Sequence, residues 1–234
     1  MNEYREEYKY KLDLLGLHTL KHELVKFMRL DPHCDAVSGY LINSIYFDDL
    51  DNNSYYEKLA GAPDRNKFRV RYYGAKPDFV KFEIKSKNNH LSRKSAFRLS
   101  MEEFNHLKSG NKEILNRHIK TDADFRAIRL FQSYDYHPQI IISYKRYPFV
   151  KEIGNVRATL DYDIRCQRYS IGASKTPMRP VSLDFAILEI KYSRYFPDFI
   201  SSLLSKNKSL IRLAAGKYTL AQSVLDELLD RDFI

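Results

Sequence analysis

Apolar and polar residues alternate along several stretches of the chain, and a period of two marks strands with one greasy and one polar face. Residues 4–12 set Tyr8, Tyr10 and Leu12 against Arg5, Glu7, Lys9 and Lys11. Residues 67–74, KFRVRYYG, set Phe68, Val70 and Tyr72 against Lys67, Arg69 and Arg71. Residues 79–87 oppose Val80, Phe82 and Ile84 to Lys81, Glu83, Lys85 and Lys87. Residues 156–165 oppose Val156, Ala158, Leu160, Tyr162 and Ile164 to Arg157, Thr159, Asp161, Asp163 and Arg165. In ILEIKY, Glu189 and Lys191 face away from Leu188, Ile190 and Tyr192. LINSIYFDD and QIIISYKRYPFV read as two more strands, the second with both faces mixed.

Helical spacing separates these strands. Leu17, Leu20, Leu24 and Phe27 recur three or four residues apart, and NSYYEKLAG reads as a short helix stopped by Gly61. Ser100 and Glu103 have capping-box spacing, with Gly110 ending that helix. Residues 122–134 place Phe125, Ile128, Leu130 and Phe131 at helical positions, and two C-terminal helices cover 196–205 and 218–230. Arg93, Lys94 and Arg98 read equally as ligands lining a lumen or as solvated loop charges. No Pro/Gly/Ser-rich linker or internal repeat divides the chain, so residues 1–234 are expected to form one domain. The expected class is α+β: an antiparallel β-barrel whose apolar faces point outward under helices and whose charged faces line a tunnel.

Charge sharpens this picture. The chain carries 39 Lys and Arg against 30 Asp and Glu, a formal charge of +9, which points to anionic partners. On the polar faces of the five alternating strands stand twelve cations (Arg5, Lys9, Lys11, Lys67, Arg69, Arg71, Lys81, Lys85, Lys87, Arg157, Arg165 and Lys191) and five anions (Glu7, Glu83, Asp161, Asp163 and Glu189). Same-face neighbours on a strand lie about 7 Å apart and repel by roughly 2 kcal/mol at an effective dielectric of about 20. Five such faces are denser than solubility needs, and a polyanion such as a phosphate chain would relieve them. Nucleic acid is a poorer match. The cations are not interleaved with aromatic platforms on their own faces, and no helix is rich enough in Arg or Lys to read a groove.

Other residues change little. Cys34 and Cys166 lack metal-ligand spacing and read as reduced thiols. The N-terminus is charged rather than signal-like, and the apolar runs are too short to span a bilayer, so a cytoplasmic protein is expected. His18 and His22 stand one helical turn apart without an evident third metal ligand. Asp48–Asp51 reads as a capping turn before a helix.

The ordered set EYK, YFDD, KFRVR, FEIK, a Tyr-x-Arg strand, RATLD, LEIKY and GKY resembles the VTC (vacuolar transporter chaperone) domain, the polyphosphate polymerase branch of the triphosphate tunnel metalloenzymes. The resemblance runs over nearly the whole chain. It implies a β-tunnel binding ATP, polyphosphate and Mn²⁺ or Mg²⁺, and transfer of the ATP γ-phosphate onto a growing polyphosphate chain with release of ADP. It implies catalytic roles for Lys9, Arg69 and Glu189. Phosphate binding falls to Lys67, Arg71, Lys85, Lys94, Arg146, Arg157, Lys191 and Lys217, with Arg93 beside them. Metal binding falls to Glu189, with Glu7 and Glu83 as further carboxylates. Two positions depart from the pattern. Arg5 stands where wider tunnel enzymes carry a Glu, which suits a polymerase better than a two-metal triphosphatase. Gly216 replaces a serine before Lys217. Nothing resembles the regulatory or membrane segments fused to eukaryotic members, so coupling to transport would need a membrane partner protein. A non-catalytic polyphosphate- or nucleotide-binding module and a tunnel triphosphatase are the alternative functions.

Overall fold

The computed structural model describes residues 6–89, 91–170, 180–193 and 195–231. The strands are β1 (Glu6–Leu12), β2 (Arg29–Leu30), β3 (Tyr40–Asp48), β4 (Arg65–Tyr73), β5 (Phe79–Asn88), β6 (Leu91–Ser100), β7 (His137–Lys151), β8 (Val156–Arg168), β9 (Val181–Leu183), β10 (Ala186–Tyr192) and β11 (Ile211–Arg212). The α-helices are α1 (Leu14–Phe27), α2 (Asn53–Leu59), α3 (Met101–Lys108), α4 (Asp122–Ser133), α5 (Asp198–Lys206) and α6 (Lys217–Arg231). No helix among the described residues is long and apolar enough to cross a membrane, and neither cysteine is in a disulfide. Arg5 lies outside the described residues.

The strands form one large sheet in the order β11-β1-β10-β8-β7-β3-β4-β5-β6, with β2 beside β7 and β9 beside β8. Among the described residues β11 and β6 do not pair with each other, so the sheet is not closed into the expected barrel. The strands divide between two compact units. The first comprises Met1–Ile42, Ser143–Arg165 and Ser182–Ala215; the second comprises Asn43–Ile142, Cys166–Val181 and Gly216–Ile234.

In the first unit the apolar residues of β1, β8 and β10 form one core with α1 and α5. Leu12, Ala158, Leu160, Leu188 and Ile190 pack against Leu17, Leu20 and Leu24 of α1 and Ile200 and Leu203 of α5. The Asp13 side chain accepts from the Gly16 amide at 2.6 Å and starts α1. Phe27 continues the helical spacing but is 45% exposed and stacks on Phe199 instead of entering the core.

In the second unit β3, β4, β5 and β6 put Ile45, Phe47, Phe68, Val70, Phe82, Ile84, Phe97 and Leu99 under α3 and α4. Phe131 of α4 stands at the centre, with ring centroids 5.4 Å from Phe47, 4.9 Å from Phe68, 5.2 Å from Phe82 and 5.6 Å from Tyr136. Phe125 points outward at 48% exposure. Ser100 and Glu103 form the predicted capping box, and Gly110 follows at φ 93°, a conformation that favours glycine. β6 is a full strand paired to β5 from Asn88↔Leu91 to Phe79↔Ser100, so its cations are not on a loop. Only its second half, with Phe97 and Leu99, carries an apolar face strong enough to announce a strand.

One helix departs from the expected layout. α6 does not join the core under the apolar face. Its Tyr218 stacks on Tyr46, whose neighbours Ile45 and Phe47 point the other way into the core, so α6 covers the polar face of the second unit. Truncating Phe131 to alanine removes a fully buried ring from four aromatic neighbours. Thermal or urea unfolding of Phe131→Ala should show a loss of about 3–5 kcal/mol.

Candidate functional site

On the polar face of the first unit the strand register sets charges in rows. β1 pairs antiparallel with β10, bringing Glu7 opposite Lys191 and Lys9 opposite Glu189. β10 pairs with β8, bringing Lys191 opposite Arg157 and Glu189 opposite Thr159. One row reads Glu7–Lys191–Arg157, the next Lys9–Glu189–Thr159, so sign alternates along and across β1 and β10, while Lys191 meets the like charge of Arg157 on β8. Lys9 lies 2.5 Å from Glu7, and Lys191 lies 3.3 Å from Glu7 and 2.9 Å from Glu189. Burial and the Glu189 charge push the Glu7 carboxyl up, but Lys191 and Lys9 outweigh them and hold it below the usual range. Beside these rows Arg146 of β7 grips the fully buried Asp161 with two hydrogen bonds, of 2.5 and 2.7 Å.

In the second unit the three strands β4, β5 and β6 form three rows on the polar face. Lys67, Lys85 and Lys94 stand in register in one, and Arg71, Lys81 and Arg98 in another. Like charges directly opposite one another destabilise a sheet. Between them lies the row Arg69–Glu83–Ala96, and Glu83 gathers the surrounding charge. Its Oε2 lies 2.5 Å from Arg69 and 3.9 Å from Arg71, and its Oε1 lies 2.7 Å from Lys94. Glu83 is 5% exposed. Burial raises its carboxyl pKa, yet Arg69, Arg71 and Lys94 outweigh that and hold it down at about 2. Arg93 projects to the opposite face, where it meets Thr121 and Asp124 of the α4 cap, so Lys94 and Arg98 are on the cationic face and Arg93 is not.

Tyr46 sits beneath these cations. Arg69 donates to its hydroxyl at 3.1 Å, and Lys67 Nζ lies 5.2 Å from its ring centroid and 5.1 Å from that of Tyr218. Burial pushes the Tyr46 phenol up, but Arg69, Lys67, Arg71 and Lys217 bring it down to about 8. Tyr218 is anchored in turn, donating at 2.6 Å to Asp48. Asp48 also accepts from the Ser54 and Tyr55 amides, and Asp49 from the Asn53 amide, so this acidic turn caps α2 and holds the start of α6. Lys217 therefore opens α6 beside the cationic face, and a Cβ on Gly216 would stand 3.6 Å from Lys67 Nζ, an ordinary contact.

The structure thus gathers Glu7, Lys9, Arg146, Arg157, Glu189 and Lys191 on the first unit. It gathers Lys67, Arg69, Arg71, Glu83, Lys85, Lys94 and Lys217 on the second. Sequence reasoning gave no role to Tyr46 or Asp161. The signal for Asp161 was its place on the face of Arg157. For Tyr46 there was none, because its cations come from other elements.

A divalent cation fits part of this arrangement. Glu7 and Glu189 are carboxylates on adjacent strands that feel each other's charge, a hard oxygen donor set. Glu83 is 5% exposed with both oxygens engaged by cations. Both Glu7 oxygens also meet cations, Lys9 and Lys191, but its side chain keeps 26% exposure, and an ion there would have to displace them. Among the described residues no three His, Cys, Asp or Glu side chains cluster to hold a metal ion, so an ion at Glu7 and Glu189 would complete its shell with water and phosphate.

Similarity to known proteins follows the fold. A Bacillus halodurans protein named provisionally as an adenylate cyclase superimposes with a TM-score of 0.51 at 14% identity, over 87% of each chain. A conserved hypothetical protein from Pyrococcus furiosus aligns over 92% of this chain and 98% of its own, with a TM-score of 0.46 and 13% identity. At 14% identity the first of these likenesses is one of fold. No curated protein matches the chain. The family model for the VTC domain matches residues 4–225.

Glu83 yields a pH prediction. Its folded pKa is depressed from 4.5 to about 2, so its contribution to stability is complete above about pH 4.5 and is lost as pH falls through about 2. Glu83→Gln should lower the melting temperature at neutral pH, by about 3–5 kcal/mol in stability, and flatten the acid limb in that window. Tyr46 yields a spectroscopic one. Ultraviolet titration should show one tyrosinate forming near pH 8, and Tyr46→Phe should abolish that step.

Proposed function

The chain belongs to the VTC domain family, and from that premise we propose that it is a polyphosphate polymerase, transferring the γ-phosphate of ATP to the end of a polyphosphate chain. The observation that carries this reading is the pair of rows in the first unit, with Lys9 opposite Glu189 and Glu7 opposite Lys191. A binding face for a polyanion needs only cations. Carboxylates placed among them relieve the repulsion between the cations, and Glu7 and Glu189 are also the hard oxygen donors that a divalent ion binding phosphate would need.

In this reaction the bond from the γ-phosphorus to the β,γ-bridging oxygen breaks and ADP leaves with its electron pair. A terminal oxygen of the acceptor chain forms the new bond. That oxygen is already ionised at neutral pH, so no general base is required. What the protein supplies is alignment and charge neutralisation. Lys9, Lys191 and Arg157 lower the repulsion between two phosphate groups brought together. Arg146 is oriented by Asp161 toward the same role. Lys67, Arg69, Arg71, Lys85, Lys94 and Lys217 bind phosphoryl oxygens, and the like-charge rows Lys67–Lys85–Lys94 and Arg71–Lys81–Arg98 are relieved when they do. Glu7 and Glu189 would hold Mg²⁺ or Mn²⁺, which when bound adds positive charge at the phosphoryl oxygens. ATP and polyphosphate are the ligands, and any coupling to transport would fall to a membrane partner protein.

The decisive experiment incubates the protein with ATP and Mg²⁺ or Mn²⁺ and separates the products on a gel. A ladder of phosphate chains with matching ADP is expected. Free orthophosphate in place of chains would assign a triphosphatase, and binding with no turnover a capture module. Glu189→Gln keeps the shape and removes the charge. Turnover should fall by about a hundredfold or more, because an amide is a poor ligand for a hard cation. Triphosphate binding in the presence of a chelator should be kept or strengthened. Near-normal metal-dependent turnover in Glu189→Gln would remove the metal role from this residue.

A further inference from the structure

Thr159 is the third member of the row that begins with Lys9 and Glu189. On β8 it shares the face of Arg157 and Asp161, while Val156, Ala158 and Leu160 on the alternate face enter the core. It is 3% exposed, and its Oγ1 is buried with no hydrogen-bond partner. The carboxylates around it are matched. Glu7 pairs with Lys9 and Lys191, Glu189 with Lys191, and Asp161 with Arg146. A hydroxyl left unsatisfied at such a position carries a desolvation cost that valine, equally β-branched and equally suited to a strand, would avoid. A hydroxyl here is therefore explained by a group absent from the free protein. The neighbouring cations Lys9, Lys191 and Arg157 select an anion, and an ionised phosphoryl oxygen accepts hydrogen bonds without donating them.

We propose that Thr159 is a substrate-binding residue whose hydroxyl donates to a phosphoryl oxygen of a triphosphate group. The group belongs either to an inorganic phosphate chain or to a nucleoside triphosphate. This rests on the phosphate-binding reading of the face, and it adds a neutral donor that fixes where an oxygen sits among charges that attract without direction. The Thr159 hydroxyl would also be the one member of the row whose only partner is the substrate.

The test compares the wild-type protein with Thr159→Val and Thr159→Ser, using inorganic triphosphate and ATP as separate probes with a chelator present. Melting temperature is read without ligand, and affinity by calorimetry. Thr159→Val should melt at or above the wild-type temperature when free, bind at least one probe about ten-fold more weakly, and regain most of that affinity as Thr159→Ser. The probe that weakens identifies the chain that seats there. Wild-type affinity of Thr159→Val for both probes would overturn the proposal while leaving the phosphate face intact. So would a fall in the free melting temperature that Thr159→Ser does not share, since the hydroxyl would then serve the fold. If the wild-type protein binds neither probe, the phosphate reading of the face fails and this assignment with it.

Discussion

Repulsion between cations held on a rigid strand face is the constraint around which the rest of this molecule is organised. Side chains two residues apart on a strand cannot separate, and pairing in register brings a second and third set alongside. The two units answer this in different ways. The first alternates sign, so that Glu7, Lys9, Glu189 and Lys191 neutralise one another locally. The second concentrates its answer in Glu83, whose two oxygens serve Arg69, Arg71 and Lys94, and leaves flanking rows in which lysine meets lysine and arginine meets lysine. A face built in this second way keeps a surplus of positive charge, and the proposed phosphate binding rests on that surplus.

Holding that charge requires a stiff support, and the opposite faces provide it. Arg69 has a core neighbour on either side: Phe68 and Val70, both fully buried, alternate with Lys67, Arg69 and Arg71. The aromatic cluster around Phe131 fixes the plane of these strands, and the leucine-rich packing of α1 does the same for β1, β8 and β10. The charged side chains thus stand on backbone whose position is set by burial of several large apolar groups, each contributing about 1.5–3 kcal/mol.

α6 links packing to the site in the second unit. Asp48 ends β3, caps α2 and accepts from Tyr218, and Tyr218 stacks on Tyr46 beneath Lys67 and Arg69. One buried carboxylate therefore determines where the helix begins, and hence where Lys217 and Gly216 stand. The acidic turn is structural, yet it sets the surroundings of the phenol that the cations bring down to about 8.

By itself the sequence determined the strands with clean alternation, the helices with periodic apolar residues, the capping box at Ser100, and the residues that share a charged face. These follow from local rules, since a period of two or of 3.6 needs no knowledge of partners. The motif order also carried the family. Tertiary structure alone decided which strand lies beside which, and with it every pairing between faces. Glu83 could be placed on a polar face from sequence, but not at the meeting point of Arg69 and Lys94, because those contacts depend on register between β4, β5 and β6. The open strand order, the position of α6 on the polar face, the strand over Leu91–Ser100 and the unpartnered hydroxyl of Thr159 belong to the same class. Each depends on residues far apart in the chain meeting in space, and neither composition nor periodicity encodes such a meeting.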